Sequence, residues 1–244
     1  AYTESGFIAM NIITIEGDKT HRKAVFDENQ QSVTFDGDFV SWKTGDIAIE
    51  WTFDSRISED LIKAEIVSGP LTLIILALVF GSIVAAFLPI GVGIATVAAA
   101  MGMTIWLSNV TDVTQYATNI ITLIGIGVSI DYSLFLVNRF REELAIGRDV
   151  RTAVAMSTAT AGKAVFFSGI TVAIGLMGML FFKNTSLPSL GIGGTVAVSI
   201  AMVYSTIVLP AVMSILGKRV DKGKVPFAFN LEAREDGLWA NIAN

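Results

Sequence analysis

No cysteine occurs in the 244 residues, and histidine occurs once, at His21. The first absence excludes disulfides and thiolate metal sites. The second excludes a histidine-based metal cluster, since His21 stands alone in a charged stretch. No cofactor is expected. Charge is also scarce: Asp, Glu, Lys and Arg make up 16% of the chain, against about a quarter in soluble domains. No basic patch interleaved with aromatics is present, so nucleic acid is not an expected partner. Residues 66–111, 113–130, 164–182 and 184–217 hold no charged side chain at all.

What fills those intervals is apolar, in a chain that is 52% hydrophobic. A helix needs about 20 apolar residues to cross a bilayer. The fold class that follows is a polytopic α-helical membrane protein. The formal net charge of −5 is segregated: residues 1–65 hold 13 acids and 6 bases, residues 66–244 hold 9 and 11. The excess acid therefore belongs to a soluble segment. The start, "AYTESGFIAMNII", has no basic residue ahead of a long apolar core, unlike a signal peptide. It reads as the interior of a folded domain, and the chain is expected to begin inside a larger protein.

Residues 1–65 alternate in the manner of strands in "GFIAMNIITIEG" and "SVTFDGDFVSW", bounded by Gly, Asp and Asn turn signals. "ISEDLIKAEIV" then takes helical spacing, with Ile57, Leu61 and Ala64 on one side, Ile66 following them, and Glu59 and Asp60 near its start. An α+β soluble piece feeding a helix into the membrane is the expectation. Five crossings follow, at about 71–87, 90–107, 116–140, 164–182 and 190–216, with Pro70 near the start of the first and Pro89 breaking the run after it. Residues 66–217 make the membrane bundle, 139–163 a charged connector, and 218–244 a tail.

Lys and Arg near helix ends set orientation. The connector holds Arg139, Arg141, Arg148, Arg151 and Lys163, and the tail holds Lys218, Arg219, Lys222 and Lys224. The opposite side has Lys183 alone in its short loops. Five crossings then put the tail and connector in the cytoplasm and residues 1–65 outside. Asn109-Val110-Thr111 and Asn184-Thr185-Ser186 match the glycosylation pattern, but short loops rich in Asn and Thr produce such matches by chance.

The stretch that carries chemistry is "GIGVSIDYSLFLVNRFREE", Gly125 to Glu143. Asp131 and Tyr132 interrupt an otherwise apolar crossing, and an ionised carboxylate there costs at least about 2.5–3.5 kcal/mol. At about 100° per residue, Gly127 and Asp131 share a helix face and Tyr132 lies about 100° further round. Gly127 removes bulk one turn before Asp131, and Gly125 with Ser129 forms a second small pair suited to tight packing. Asp131 is thus expected to face a packed interior. Burial raises a carboxylate pKa, while a cation or hydrogen bonds lower it. A carboxyl balanced between these, beside a phenol, suits a proton relay. The alternative is an Asp that caps a helix break or pairs with a partner cation for assembly. An aspartyl protease needs two carboxylates sharing a proton, and Asp131 is the only acid inside a crossing, so no enzymatic role is expected.

"GIGVSIDYSLFLVNRFREEL", with the preceding "PLTLIILALVFGSIVAAFLPI" and the following "TAGKAVFFSGITVAIGLMGMLFF", resembles the MMPL family of the RND transporter superfamily. The similarity covers roughly residues 57–217, and Gly127, Asp131 and Tyr132 are its most specific part. The resemblance implies that the crossings are helices two to six of a twelve-helix protein, with residues 1–65 the end of its first extracytoplasmic porter domain. It further implies proton-driven export of a lipid or other hydrophobic molecule from the cell membrane. In that family the Asp-Tyr pair faces an equivalent pair on the tenth helix. This chain has no second such pair, so the implied partner is a second transporter half or another copy, alongside membrane lipids. The competing reading is a non-transporting lipid- or sterol-sensing-like scaffold with the same helix arrangement.

Smaller signals surround this motif. Ser168, a little inside the fourth crossing, is a candidate to hydrogen-bond toward Asp131, against ordinary helix packing. Phe135, one turn beyond Asp131, is a candidate plug against water, against core packing. Lys163 marks the inner edge of its helix, where a lysine snorkels. "LGIGGT" lacks the Lys of a phosphate-binding loop. With no nucleotide motor, an ion gradient is the expected energy source. "AREDGLWANIAN" either lies along the inner membrane surface, where Trp is favoured, or is a linker.

Overall fold

A computed structural model describes residues 2, 3, 6, 7, 10, 12–29, 42–111, 113, 114, 116–182 and 187–223. The chain divides into two compact units, Ala1–Ala64 and Glu65–Asn244.

In the first unit, β1 (Tyr2–Thr3) pairs antiparallel with β2 (Gly6–Phe7). Among the described residues, the strand expected through "GFIAMNIITIEG" covers Gly6–Phe7, and residues 12–16 take no regular structure. The strand expected in "SVTFDGDFVSW" lies outside the described residues, except for Trp42, which is in no strand. Two helices were less visible in sequence. The polar α1 (Lys19–Asn29) starts where the Asp18 carboxylate accepts the His21 amide at 2.7 Å, satisfying an orphan helix donor. It pairs with the start of α2 (Asp46–Phe80): Trp51 Nε1 donates to Asp27 at 3.0 Å, and Lys23 bridges Asp54 and Glu50.

Among the described residues, five helices are long and apolar enough to cross a membrane: Asp46–Phe80, Ile83–Leu107, Tyr116–Ala145, Val150–Phe181 and Leu187–Asp221. The number agrees with the uncharged runs, but the breaks differ. The first turn falls at Gly81-Ser82, not at Pro89. Gly81 takes φ +63°, a conformation that excludes most side chains, and the Ser82 hydroxyl accepts the Ala85 amide to cap α3 (Ile83–Leu107). Pro70 and Pro89 both lie inside helices, as membrane helices tolerate. α4 (Tyr116–Ala145) ends at Gly147, φ +88°. Asp149 caps α5 (Val150–Ser157) by accepting the Thr152 amide, and hydrogen bonding from the Thr152 side chain first, then from that amide, holds its carboxyl below the usual range. The chain continues through a wide π turn, Thr158–Gly162, into α6 (Lys163–Met177). Most of the expected connector is therefore helix, and the helix that carries the fourth uncharged run begins well before Ala164. α7 (Leu187–Val203), a second π turn (Tyr204–Val208) and α8 (Leu209–Leu216) make the fifth.

α7 packs on α3, α4 and α6, and α4 packs on α3 and α7. Small residues set the distances. A Cβ on Gly193 would stand 2.8 Å from the Ala117 carbonyl oxygen, and one on Gly191 2.8 Å from that of Leu176. The glycines of "LGIGGT" are thus helix contacts. Below them a core of Leu76, Phe80, Tyr132, Leu136, Phe140 and Met213 closes the bundle.

Candidate proton-relay site on α4

The two sides of α4 differ in cover. Ile121, Gly125, Ser129, Ser133, Leu136 and Phe140 are buried, and a Cβ on Gly125 would approach Val97 to 3.3 Å and Ala197 to 3.7 Å. Tyr132 turns inward as well, 7% exposed and packed in the core. Leu123, Gly127, Asp131 and Phe135, four residues apart each time, are exposed. A Cβ built on Gly127 meets nothing within 4 Å.

The expectation that Asp131 faces a packed interior does not hold within this chain. Its stripe is the side of α4 that neither α3 nor α7 covers, because those two helices take the faces marked by Gly125 and Ser129. No hydrogen bond or ion pair joins Asp131 to a described residue. Ser168 does not reach it: α6 turns Val165, Gly169 and Ala173 inward and leaves Ser168 exposed. Phe135 is 63% exposed, so the core-packing alternative fails here too. Lys163 is exposed at the start of α6.

Two polar features went unread in the sequence. Ser133 and Ser205 bring their hydroxyls to 3.4 Å inside the bundle, a pairing across 72 residues that no local pattern marks. Glu143, 1% exposed, faces two guanidiniums: Arg139 at 2.6 Å and Arg148 beyond the Gly147 turn. The Arg139-Glu143 spacing was legible as a helical pair; the burial was not. Nearby, Arg141 holds Asp221 at 2.7 Å and lies over the Phe80 ring. Removing one partner of a buried charge is costly. We expect Arg148→Ala to destabilise the protein by about 3 kcal/mol, the low end for such losses because Arg139 remains. Thermal unfolding in detergent measures it, and Arg148→Lys should recover part of the loss.

The arrangement is a carboxyl near the middle of a membrane-length helix, on its open face, backed by a phenol in the core and steadied at one end by a buried ion-pair cluster. Comparison with known proteins adds its lineage. Residues 23–243 match the MMPL family, and the chain belongs to that family, whose mycobacterial members include lipid exporters of the RND superfamily. It is a multi-pass helical membrane protein. It is 35% identical to the putative membrane protein SCO6666 of Streptomyces coelicolor, over 98% of this chain and 34% of that protein. It is 38% identical to the mycolic acid-containing lipids exporter MmpL11 of Mycolicibacterium smegmatis, over 74% of this chain and 19% of that protein. With the trehalose monomycolate exporter MmpL3 of Mycobacterium tuberculosis it shares 39% identity over 71% of this chain and 19% of that protein. The chain thus spans between a fifth and a third of these relatives' length.

Proposed function

We propose that this chain is part of a proton-motive-force-driven exporter of a lipid or other hydrophobic molecule, with Asp131 and Tyr132 as its proton relay. The observation that carries the reading is the open stripe Leu123–Gly127–Asp131–Phe135. A carboxylate left against acyl chains is too expensive to keep without use. A stripe made close-approachable by Gly127 is suited to cover by a further helix, from a second transporter half or another copy. Cover of that kind encloses Asp131 between two helices, where gain or loss of a proton changes how they pack. Protonation removes its charge, lets the two helices repack, and shifts a two-state equilibrium between access states. One charge moved through 100 mV supplies about 2.3 kcal/mol, enough for a shift of tens of fold. Tyr132, next in the chain but turned into the core, passes that repacking to the bundle.

In this reading residues 1–65 are extracytoplasmic and contribute to an α+β porter domain on the substrate path. The bundle spans 66–217, the connector 139–163 and the tail 218–244 are cytoplasmic, and no enzymatic step is involved. The distribution of Lys and Arg supports that orientation. The lipids exported by MmpL3 and MmpL11 support the substrate class. The test is export of labelled lipid by cells whose proton gradient is collapsed by a protonophore while ATP is held constant. Export should stop within the time the gradient takes to fall. Lipid binding that persists without export and without pH dependence would favour the non-transporting scaffold.

A further inference from the structure

A groove of about 390 Å³ runs between α3 and the segment from Tyr204 to Leu216, a volume within the roughly 300–1,000 Å³ of small-molecule sites. Its walls are Phe87, Gly91 and Ala95 on one side and Tyr204, Val208 and Val212 on the other, apolar but for one phenol. Two features keep it open. A Cβ on Gly91 would touch nothing within 4 Å, and the π turn at Tyr204–Val208 interrupts the regular helix on the facing wall, as such turns do at functional sites.

One end of the groove, at Ile83 and Leu216, meets a basic run. The Ile83 amide donates to the Gly223 carbonyl at 3.0 Å, and the Ser82 hydroxyl lies 2.8 Å from the Lys222 carbonyl. The backbone carrying Lys218, Arg219 and Lys222 is therefore fastened to the mouth. All three side chains are exposed, and none forms an ion pair with a described residue. Asp221, the acid within the run, is engaged by Arg141. The mouth is cationic and the interior oily.

We propose that this groove seats one acyl chain of an anionic phospholipid, with its phosphate at Lys218, Arg219 and Lys222. Basic pockets between membrane helices recognise anionic headgroups in this way, and the site does not depend on Asp131. The experiment uses the protein in nanodiscs of mixed phosphatidylcholine and phosphatidylglycerol, with Phe87→p-benzoylphenylalanine as a photo-crosslinker. Adducts should be lipid and enriched in phosphatidylglycerol at least about fivefold over its share of the bilayer, the effect of a single basic residue near an anionic surface. Changing Lys218, Arg219 and Lys222 together to Gln should return the adducts to the bulk ratio. Gly91→Trp should empty the groove of lipid in native mass spectrometry; if it impairs folding, the crosslink still decides. Adducts to a polypeptide segment, adducts at the bulk ratio in the wild type, or undiminished lipid in a folded Gly91→Trp protein would each overturn the assignment.

Discussion

With Asp131 as the proposed relay, Asp131→Asn should lower lipid export by about a hundredfold or more, the low end of what loss of a positioned proton-transfer group costs, and should leave folded protein in the membrane at its normal level. The two halves of that result come from one geometric fact. Asp131 contacts no described residue through a hydrogen bond or ion pair, so the bundle does not lean on its charge. Asn keeps the shape and the polarity but cannot carry the proton. A structural aspartate would give the opposite pattern, with protein lost and the surviving fraction active. Export assays normalised to surviving protein, with Asp131→Glu as a variant that still titrates, separate these outcomes. Glu should restore part of the transport, because the acid returns on a longer arm.

The second large effect concerns two glycines in opposite surroundings. Gly193→Leu should prevent stable assembly, and Gly193→Ala alone should cost about 1–3 kcal/mol, the usual penalty for overfilling a packed site. Its Cβ meets the Ala117 carbonyl at 2.8 Å, and backbone cannot rotate away as a side chain would. A Cβ at Gly127 meets nothing within 4 Å, so Gly127→Leu should leave the melting temperature of the bundle unchanged. It should still abolish export, since it fills the stripe on which a further helix is proposed to close. Thermal unfolding in detergent combined with export in cells measures both. Loss of stability at Gly127 equal to that at Gly193 would mean that the stripe is covered by this chain's own helices.

Much of this architecture was legible because charge is so unevenly spread. Four uncharged intervals, one of them long enough for two helices, announce five crossings. The turn between α2 and α3 was misplaced because proline is a weak punctuator inside a membrane, whereas Gly81 at φ +63° and the Ser82 cap determine the break. α1 was missed because it has no apolar stripe and is fixed by the Asp18 cap and by its contacts with Trp51 and Asp54. The relay motif was visible in Gly127, Asp131 and Tyr132, and the small pair Gly125 and Ser129 sits on the buried side of α4. Which side of α4 the acid would face was not readable. Periodicity tells which residues share a stripe, but only the packing of α3 and α7 decides which stripe is left open. Glu143 was overlooked for a related reason: its second arginine arrives after a turn, outside any helical register.

The relay stands or falls on whether Asp131 changes its protonation within the membrane. Infrared difference titration of the carboxyl stretch in reconstituted membranes, wild type against Asp131→Asn, measures this directly. A protonated-carboxyl band that grows as pH falls and is missing from the variant is the expected result. Identical bands in both proteins, or an Asp131 that stays ionised at every pH where the protein is folded, would contradict it.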